Sequence, residues 1–376
     1  MSTILTGKIK VKKSSLQVSS TLLAALALLA GCGGGGGSTA TDSTPPTLAA
    51  SPAISPANGT TGAAYAASVS FTASENMSTA NIKMTCDGVA VPGNTAVSGA
   101  VVTYTPTAPG YAANAKCTAT LDAITTKDLA GNPFASNVTV TNFTVKPLSC
   151  TGSSSNAAPS FNGTALVAAC SNVFVDPTVA KAQYPAIVDG IAAAISSNKA
   201  AYGSLKSSQP DVIVCSTTAC GTYFAGASLR NVTLPPNTNA GQYVAPRMTI
   251  VLTSATWSRN PYVLAHEFSH VEVNARLNGK RTPSWFDEGL ATYIGGEPVC
   301  TNVTGKGIAD LTTLDLVSDW AAYTSSSATF EKTYCQARAE VSAWISKNGT
   351  SAINQLLEAV SQGQSFTSQY GAMQTQ

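Results

Sequence analysis

The only two histidines of this 376-residue chain stand four positions apart, in the segment His266-Glu267-Phe268-Ser269-His270. Residues four apart share one face of an α-helix, so on a helix both imidazoles can reach one metal ion. Glu267 stands one position round the helix, where its carboxylate can handle a water molecule bound to that metal. On a helix, this spacing therefore predicts a metal site.

Residues on both sides of the histidines predict where that helix begins and ends. Asn260-Pro261 is a start signal, because asparagine caps helices and proline is tolerated at the first helical position. Asn278-Gly279 is a stop signal. Between them, apolar residues recur at helical spacing, and Glu272 is expected to be a solvated helix charge.

A catalytic zinc ion usually has three protein ligands and one open position for water. Because the chain has no third histidine, the third ligand must be a carboxylate or a rarer group. Glu288 follows His270 after seventeen residues. Ser284 and Asp287 fit a capping box, which predicts a second helix that starts there and carries Glu288 in its first turn. Asp287 is the alternative ligand, about 100° round that helix from Glu288.

These motifs resemble the gluzincins, the thermolysin and aminopeptidase N type of zinc metallopeptidase, and most closely the peptidase MA-like domains. In that family, HExxH is followed by a W-x-x-E-G-x-A segment, which here is Trp285-Phe-Asp-Glu-Gly-Leu-Ala291. The spacing is one residue shorter than in the aminopeptidases, which indicates a relative of those enzymes. The resemblance implies one Zn²⁺ ion bound by His266, His270 and Glu288, with Glu267 as the general base.

Gluzincins often stabilise the oxyanion with a tyrosine or histidine downstream of the third ligand. Tyr334 is the candidate for this role, because no further histidine exists and Tyr334 lies in a predicted helix. A Tyr334 that only packs in the core is the alternative, and Tyr293 and Tyr323 remain open as donors.

The N-terminus predicts export from a bacterial cell. Four lysines precede an apolar run that is too short to span a bilayer comfortably, which indicates a signal peptide at residues 1–31. Leu29-Ala30-Gly31-Cys32 resembles the bacterial lipobox, which implies cleavage before Cys32 and a lipid on its thiol; an ordinary signal or an uncleaved anchor is the alternative. Gly33, rather than aspartate, follows Cys32, so we expect the outer membrane.

Eight cysteines remain after Cys32, an even number that indicates disulfides in an oxidising compartment. Metal ligation by cysteine is the weaker alternative, because no CxxC pair occurs. Proximity and domain membership predict the pairs Cys86–Cys117, Cys150–Cys170, Cys215–Cys220 and Cys300–Cys335.

The mature chain would have 17 basic and 19 acidic residues, and no basic patch indicates nucleic acid as a partner. Residues 32–45 are expected to be a flexible Gly/Ser/Thr tether. Residues 46–146 show short strand patterns near Val69, Val101 and Val138. This stretch resembles the bacterial Ig-like domains of S-layer and surface proteins, through residues 71–77 and 128–132. Such a sandwich is a spacer or, alternatively, contacts the cell wall or a surface.

A Ser-rich linker near residues 151–155 lies close to the start of the peptidase-like domain, which is placed at 147–376. The sequence predicts its strands at 166–175, 211–215 and 248–253, and its helices at 177–201, 260–278, from 284, 330–346 and 351–360. Strands first and helices later indicate an α+β fold of the thermolysin/aminopeptidase type, preceded by an all-β Ig-like sandwich.

The function predicted from the sequence is a lipid-anchored, zinc-dependent peptidase of the bacterial cell envelope, acting on a peptide or protein substrate. The alternative is a catalytically inactive, metal-stabilised surface adhesion or wall-binding lipoprotein. A zinc hydrolase that acts on the peptide stems of the cell wall is a third hypothesis.

Overall fold

The computed structural model describes residues 42–150, 157–254, 260–297, 300, 311, 317–324 and 327–374. The predicted signal peptide, the lipidation residue Cys32, most of the predicted tether and the Ser-rich linker lie outside these residues. Within the described ranges, no helix combines the length and the apolar character that crossing a bilayer requires.

Residues 42–150 form strands and turns without a helix. The buried and exposed side chains alternate along the longer strands, which indicates that one face of each packs on the core. The ten strands are β1 Thr60–Ala63, β2 Val69–Thr72, β3 Met77–Thr79, β4 Ile82–Cys86, β5 Val89–Val91, β6 Gly93–Ser98, β7 Val101–Pro106, β8 Lys116–Leu121, β9 Lys127–Asp128 and β10 Val138–Val145.

These strands form a five-stranded sheet in the order β1-β10-β8-β4-β5, a three-stranded sheet in the order β2-β7-β6, and the pair β3-β9. Their inward side chains make one core, which includes the fully buried Val69, Phe71 and Val102. The strand patterns near Val69, Val101 and Val138 are confirmed as β2, β7 and β10.

The C-terminal region contains a mixed five-stranded sheet in the order β13-β14-β15-β17-β16. The central strands β14, β15 and β17 are parallel and fully buried, as expected of strands covered on both faces. The strands of this region are β11 Ser160–Phe161, β12 Thr164–Ala165, β13 Val167–Cys170, β14 Val173–Val175, β15 Asp211–Val214, β16 Val232–Leu234 and β17 Thr249–Leu252.

The single strand predicted at 166–175 is wrong. The chain turns at Ser171 and Asn172, so β13 and β14 pair as an antiparallel hairpin. Asn172 is buried in this turn, and its side-chain amide donates to the Pro210 carbonyl at 2.8 Å, next to β15. The polar residue thus ends one strand and ties the turn to the neighbouring strand.

Eight α-helices are described: α1 Tyr184–Tyr202, α2 Thr218–Ala225, α3 Pro261–Leu277, α4 Ser284–Gly295, α5 Val317–Thr324, α6 Ser327–Asn348, α7 Ser351–Ser361 and α8 Phe366–Gln374. Because α1 and α2 lie between strands of the sheet, the first half of the region alternates strands and helices. The prediction of strands followed by helices therefore holds only in outline. Overall, a β-rich N-terminal region precedes a C-terminal part rich in helices, and the chain is α+β.

The predicted ends of α3 are confirmed. The Asn260 side chain accepts a hydrogen bond from the Tyr262 backbone N–H at 3.0 Å, and Pro261 is the first helical residue. Asn278 ends the helix in the left-handed conformation, with φ of 47°.

The capping box predicted for α4 is wrong. Pro283 precedes the helix and makes no side-chain cap, and Ser284 is already its first residue. Glu288 is consequently the fifth residue of the helix, one position further in than predicted.

Glu272 is not a solvated charge. It is completely buried on α3, where its carboxylate accepts the backbone N–H groups of Lys206 at 2.7 Å and Ser207 at 3.0 Å. The same carboxylate lies 2.7 Å from Nε of Arg276, one turn along α3. Glu272 therefore fastens the segment that follows α1 to the helix that bears the histidines.

All eight described cysteines form the four expected disulfides: Cys86–Cys117, Cys150–Cys170, Cys215–Cys220 and Cys300–Cys335. Cys86 and Cys117 are direct partners in the register of β4 and β8. Cys300–Cys335 joins the chain beyond α4 to α6.

Candidate metal centre

The helix α3 presents both histidines to the same point. The distance between Nε2 of His266 and Nε2 of His270 is 3.2 Å. Helical spacing puts the two rings on one face of α3, where they meet edge to face with their centroids 4.9 Å apart. His266 and His270 retain side-chain exposures of 11% and 16%, so the pair is nearly enclosed but still reachable.

The helix α4 supplies the third group. Oε2 of Glu288 lies 3.2 Å from Nε2 of His266 and 3.5 Å from Nε2 of His270. The two helices approach closely here because Gly295 lacks a side chain: a Cβ at that position would lie 2.8 Å from the Tyr262 carbonyl oxygen. The structure thus brings His266, His270 and Glu288 together.

The three ligand atoms fit a zinc ion in both spacing and chemistry. Donor atoms around a tetrahedral zinc with bonds of roughly 2.0–2.1 Å are about 3.3 Å apart, close to the observed separations. Two imidazole nitrogens and one carboxylate oxygen are a donor set that zinc accepts. Within the described chain, Oε2 of Glu288 is buried without a hydrogen bond of acceptable geometry, although it lies close to both rings. This arrangement suits atoms that share a cation better than atoms that bind one another.

Each histidine has a carboxylate near its other ring nitrogen. Oδ1 of Asp287 lies 3.1 Å from Nδ1 of His270, and Oε1 of Glu297 lies 3.5 Å from Nδ1 of His266. Carboxylates in this position fix the tautomer of a histidine so that Nε2 carries the free lone pair. Asp287, the alternative ligand, therefore lies on the side of His270 that faces away from the ligand triangle.

Glu267 stands beside the triangle without being part of it. The Thr233 hydroxyl, on strand β16, lies 2.8 Å from Oε2 of Glu267 and 3.1 Å from its backbone carbonyl oxygen. Burial raises the pKa of Glu267, against the attraction of the two nearby histidines and the hydrogen bond from Thr233. A carboxylate with a raised pKa is a better proton acceptor than an ordinary surface glutamate.

The charges of the triangle are strongly coupled. Burial alone would lower the pKa of His266 and of His270, but the neighbouring carboxylates outweigh it and both are raised. Burial would likewise raise the pKa of Glu288, but the two histidines hold it below its usual range. Glu288 is therefore an ionised carboxylate at neutral pH, as a metal ligand must be.

Tyr334 reaches the site from α6. Its ring centroid lies 6.3 Å from that of His266, 5.2 Å from that of Trp320 and 4.5 Å from that of Phe330. Burial raises the pKa of Tyr334 well above its usual value, and the negative charge of Glu288 adds to this, so its hydroxyl remains a proton donor at neutral pH. Tyr334 lines the cleft described below.

Tyr293 and Tyr323 do not share this position. Tyr293 packs against the helical core, Tyr323 is 39% exposed, and the lining of the cleft contains neither of them.

A cleft of about 590 Å³ opens over the ligand triangle. One face of α3 forms its floor, from Val263 through the histidines to Leu277, a distance of about 21 Å at the rise of an α-helix. The edge strand β16 forms one wall, and residues of α4 and α6 form the other.

A glycine sets the spacing of α4 and α6. A Cβ on Gly289 would lie 2.6 Å from the Ala337 carbonyl oxygen, which no packing tolerates without movement. Since Glu288 and Tyr334 come from these two helices, Gly289 keeps the third ligand and the tyrosine close together. The W-x-x-E-G-x-A pattern thus has a packing reason at its glycine.

Three residues of the site were not expected from the sequence in the positions they occupy. Thr233 lies on a three-residue strand that is too short to show alternation, and Glu297 follows the end of α4. The sequence offers Asp287 as the alternative ligand, whereas the structure places it against the outer nitrogen of His270. Only Asp287 had a sequence signal, its position next to Glu288.

Comparison with known families identifies the N-terminal region. Residues 42–145 match the family described as bacterial Ig-like domain. The N-terminal β-rich region is therefore Ig-like, as its sequence resemblance predicted. A comparison with curated proteins finds no match to this chain.

Proposed function

We propose that this protein is a zinc-dependent peptidase of the bacterial cell envelope, with a gluzincin-type, peptidase MA-like domain at residues 147–376. The observation that carries the proposal is the ligand triangle of His266, His270 and Glu288, with Glu267 beside it. A metal site that only stabilised the fold would have no use for a buried, unliganded glutamate with a raised pKa at the edge of an open cleft.

A zinc ion bound by the triangle would supply Lewis-acid chemistry, lowering the pKa of water and polarising a carbonyl group. Glu267 accepts the proton of the attacking water and returns it to the amine that leaves. Thr233 holds the carboxylate of Glu267 in one orientation during both transfers. Tyr334 keeps its proton and donates a hydrogen bond to the oxygen on which negative charge develops.

The sequence also supports a location for this activity. The lipobox ending at Cys32 would attach the mature chain to a membrane by its N-terminus, and we propose the outer membrane. The Ig-like region at residues 42–145 would follow the tether as a spacer or as a contact to the cell wall. Peptides or proteins of the envelope, including the peptide stems of the wall, would be the substrates.

Glu267→Gln tests the proposal against the rival hypothesis of an inactive, metal-stabilised adhesion protein. The full chain should bind one zinc ion and cleave a mixed peptide library, and Glu267→Gln should retain zinc while losing cleavage by at least about 100-fold. Glu331→Gln, in the same cleft, is the matched control and should keep its activity. A wild-type chain that binds zinc and is stabilised by it, yet hydrolyses neither peptides nor wall stems, would favour the adhesion protein.

A further inference from the structure

Arg230 holds its guanidinium in the cleft by two contacts. Nη2 donates a hydrogen bond to the Thr324 carbonyl at 2.7 Å, and Cζ lies 4.7 Å from the centroid of the Phe330 ring. Nevertheless the residue remains exposed. Among the described residues, no carboxylate oxygen lies within 4.0 Å of its guanidinium.

A short series of ring contacts links this guanidinium to the metal centre. Phe330, which it covers, lies 4.5 Å from Tyr334, and Tyr334 lies 6.3 Å from His266. An extended peptide advances about 3.3 Å per residue, so a substrate group bound by Arg230 lies within about five residues of the ligand triangle.

The chemistry of this position favours an anion. An arginine has five N–H donors in a fixed fork that matches a carboxylate, and the Thr324 carbonyl engages only one arm of it. Apart from the ligand triangle and the carboxylates beside it, the charged residues lining the cleft are Arg230, Lys280, Arg281 and Glu331. The net charge of these four residues is positive. Stacking on Phe330 orients the fork in advance, which reduces the entropy lost on binding.

We propose that Arg230 is a specificity-determining residue that binds a carboxylate of the peptide substrate within about five residues of the hydrolysed bond. The carboxylate comes from an aspartate or glutamate side chain or from the C-terminus of the peptide. This inference rests on the proposed peptidase function and adds to it a preference for peptides that carry a carboxylate near the hydrolysed bond.

The test uses the zinc-loaded full chain and quenched fluorescent peptides that differ only in Glu or Gln at one position. Each peptide is made with a free and with an amidated C-terminus, so the two sources of the carboxylate are separated. For one of the two carboxylate sources, the KM of wild type should be about tenfold lower for the peptide with the carboxylate than for its neutral counterpart. Tenfold is the effect of one charge-assisted hydrogen bond. Arg230→Met should remove this difference in KM and leave kcat nearly unchanged.

Arg281→Met is the matched control, because it removes an equal charge from the same cleft. It should preserve the preference, and Arg230→Lys should restore it only in part, since lysine lacks the fork. Equal KM values for acidic and neutral peptides in wild type would overturn the inference, as would an equal loss in Arg281→Met.

A wild-type chain that cleaves none of the peptides would contradict the proposed function instead. In that event, fluorescence anisotropy of the same peptides on the zinc-loaded chain still tests Arg230. Tighter binding of an acidic peptide that disappears in Arg230→Met would support the inference, and binding without this difference would overturn it.

Discussion

Replacing Asp287 with alanine should weaken zinc binding without removing a ligand. Oδ1 of Asp287 lies 3.1 Å from Nδ1 of His270, and the charge of this carboxylate favours a proton on that nitrogen. Without it, the ring is free to rotate and to place its proton on Nε2, the nitrogen that faces Glu288. We expect the zinc Kd to rise about 10- to 100-fold, or about 1.4–2.8 kcal/mol.

The partner of the other histidine provides a graded comparison. Oε1 of Glu297 lies farther away, 3.5 Å from Nδ1 of His266, and the Thr292 hydroxyl lies at the same distance from that nitrogen, so Glu297→Ala should raise the Kd less than Asp287→Ala does. Competition with a fluorescent zinc chelator measures both constants. Thermal unfolding of the zinc-free variants gives the separate effect of Asp287 on its own helix, where it is an acid in the first turn. An unchanged Kd in Asp287→Ala, or a larger effect in Glu297→Ala, would refute the reasoning.

Three further predictions concern packing, burial and pH. Gly289→Ala should destabilise the fold by about 1–3 kcal/mol or more, because the added Cβ would meet the Ala337 carbonyl oxygen. Gly371→Ala is the control: the space around Gly371 is open, so this change should not destabilise the fold. Glu272→Ala should lower the free energy of unfolding, measured by chemical denaturation, by about 3–5 kcal/mol, because Glu272 is a fully buried ion-pair partner. An equally large decrease in Glu358→Ala, where the ion pair with a lysine is exposed, would contradict this reasoning. Because both ligand histidines have raised pKa values without metal, protons compete with zinc, and its affinity should fall as pH decreases through those values. Protonation of the two histidines also stabilises the zinc-free fold at low pH. This stabilisation is lost as the pH rises through the raised pKa values. Calorimetry in buffers of different ionisation enthalpy counts the released protons, and an affinity independent of pH between about 6 and 8 would disprove this coupling.

Local signals predicted much of the fold and of the site. Asn260 and Asn278 mark the ends of α3 because capping depends on neighbouring residues alone. The four disulfides join cysteines at most 35 positions apart, so sequence proximity was sufficient to pair them. His266 and His270 meet through helical spacing alone. The contact of Glu288 with both histidines confirms that the two helices bring these side chains together.

What the sequence did not reveal depends on contacts between distant segments. Glu272 looked like a surface charge because its backbone partners, Lys206 and Ser207, lie 66 and 65 positions earlier in the chain. Thr233 and Glu267 are 34 positions apart and belong to different elements. Ser284 fitted a capping pattern, yet Pro283 takes the position before the helix. None of these outcomes follows from periodicity or local propensity.

The arrangement of the cross-links has a practical consequence. Cys86–Cys117 lies wholly within the Ig-like part, and the other three bonds lie wholly beyond residue 147. No disulfide among the described cysteines bridges the two parts. A protease that cut the main chain once between Val145 and Cys150 would release two fragments on a non-reducing gel, each keeping its own sulfur bridges.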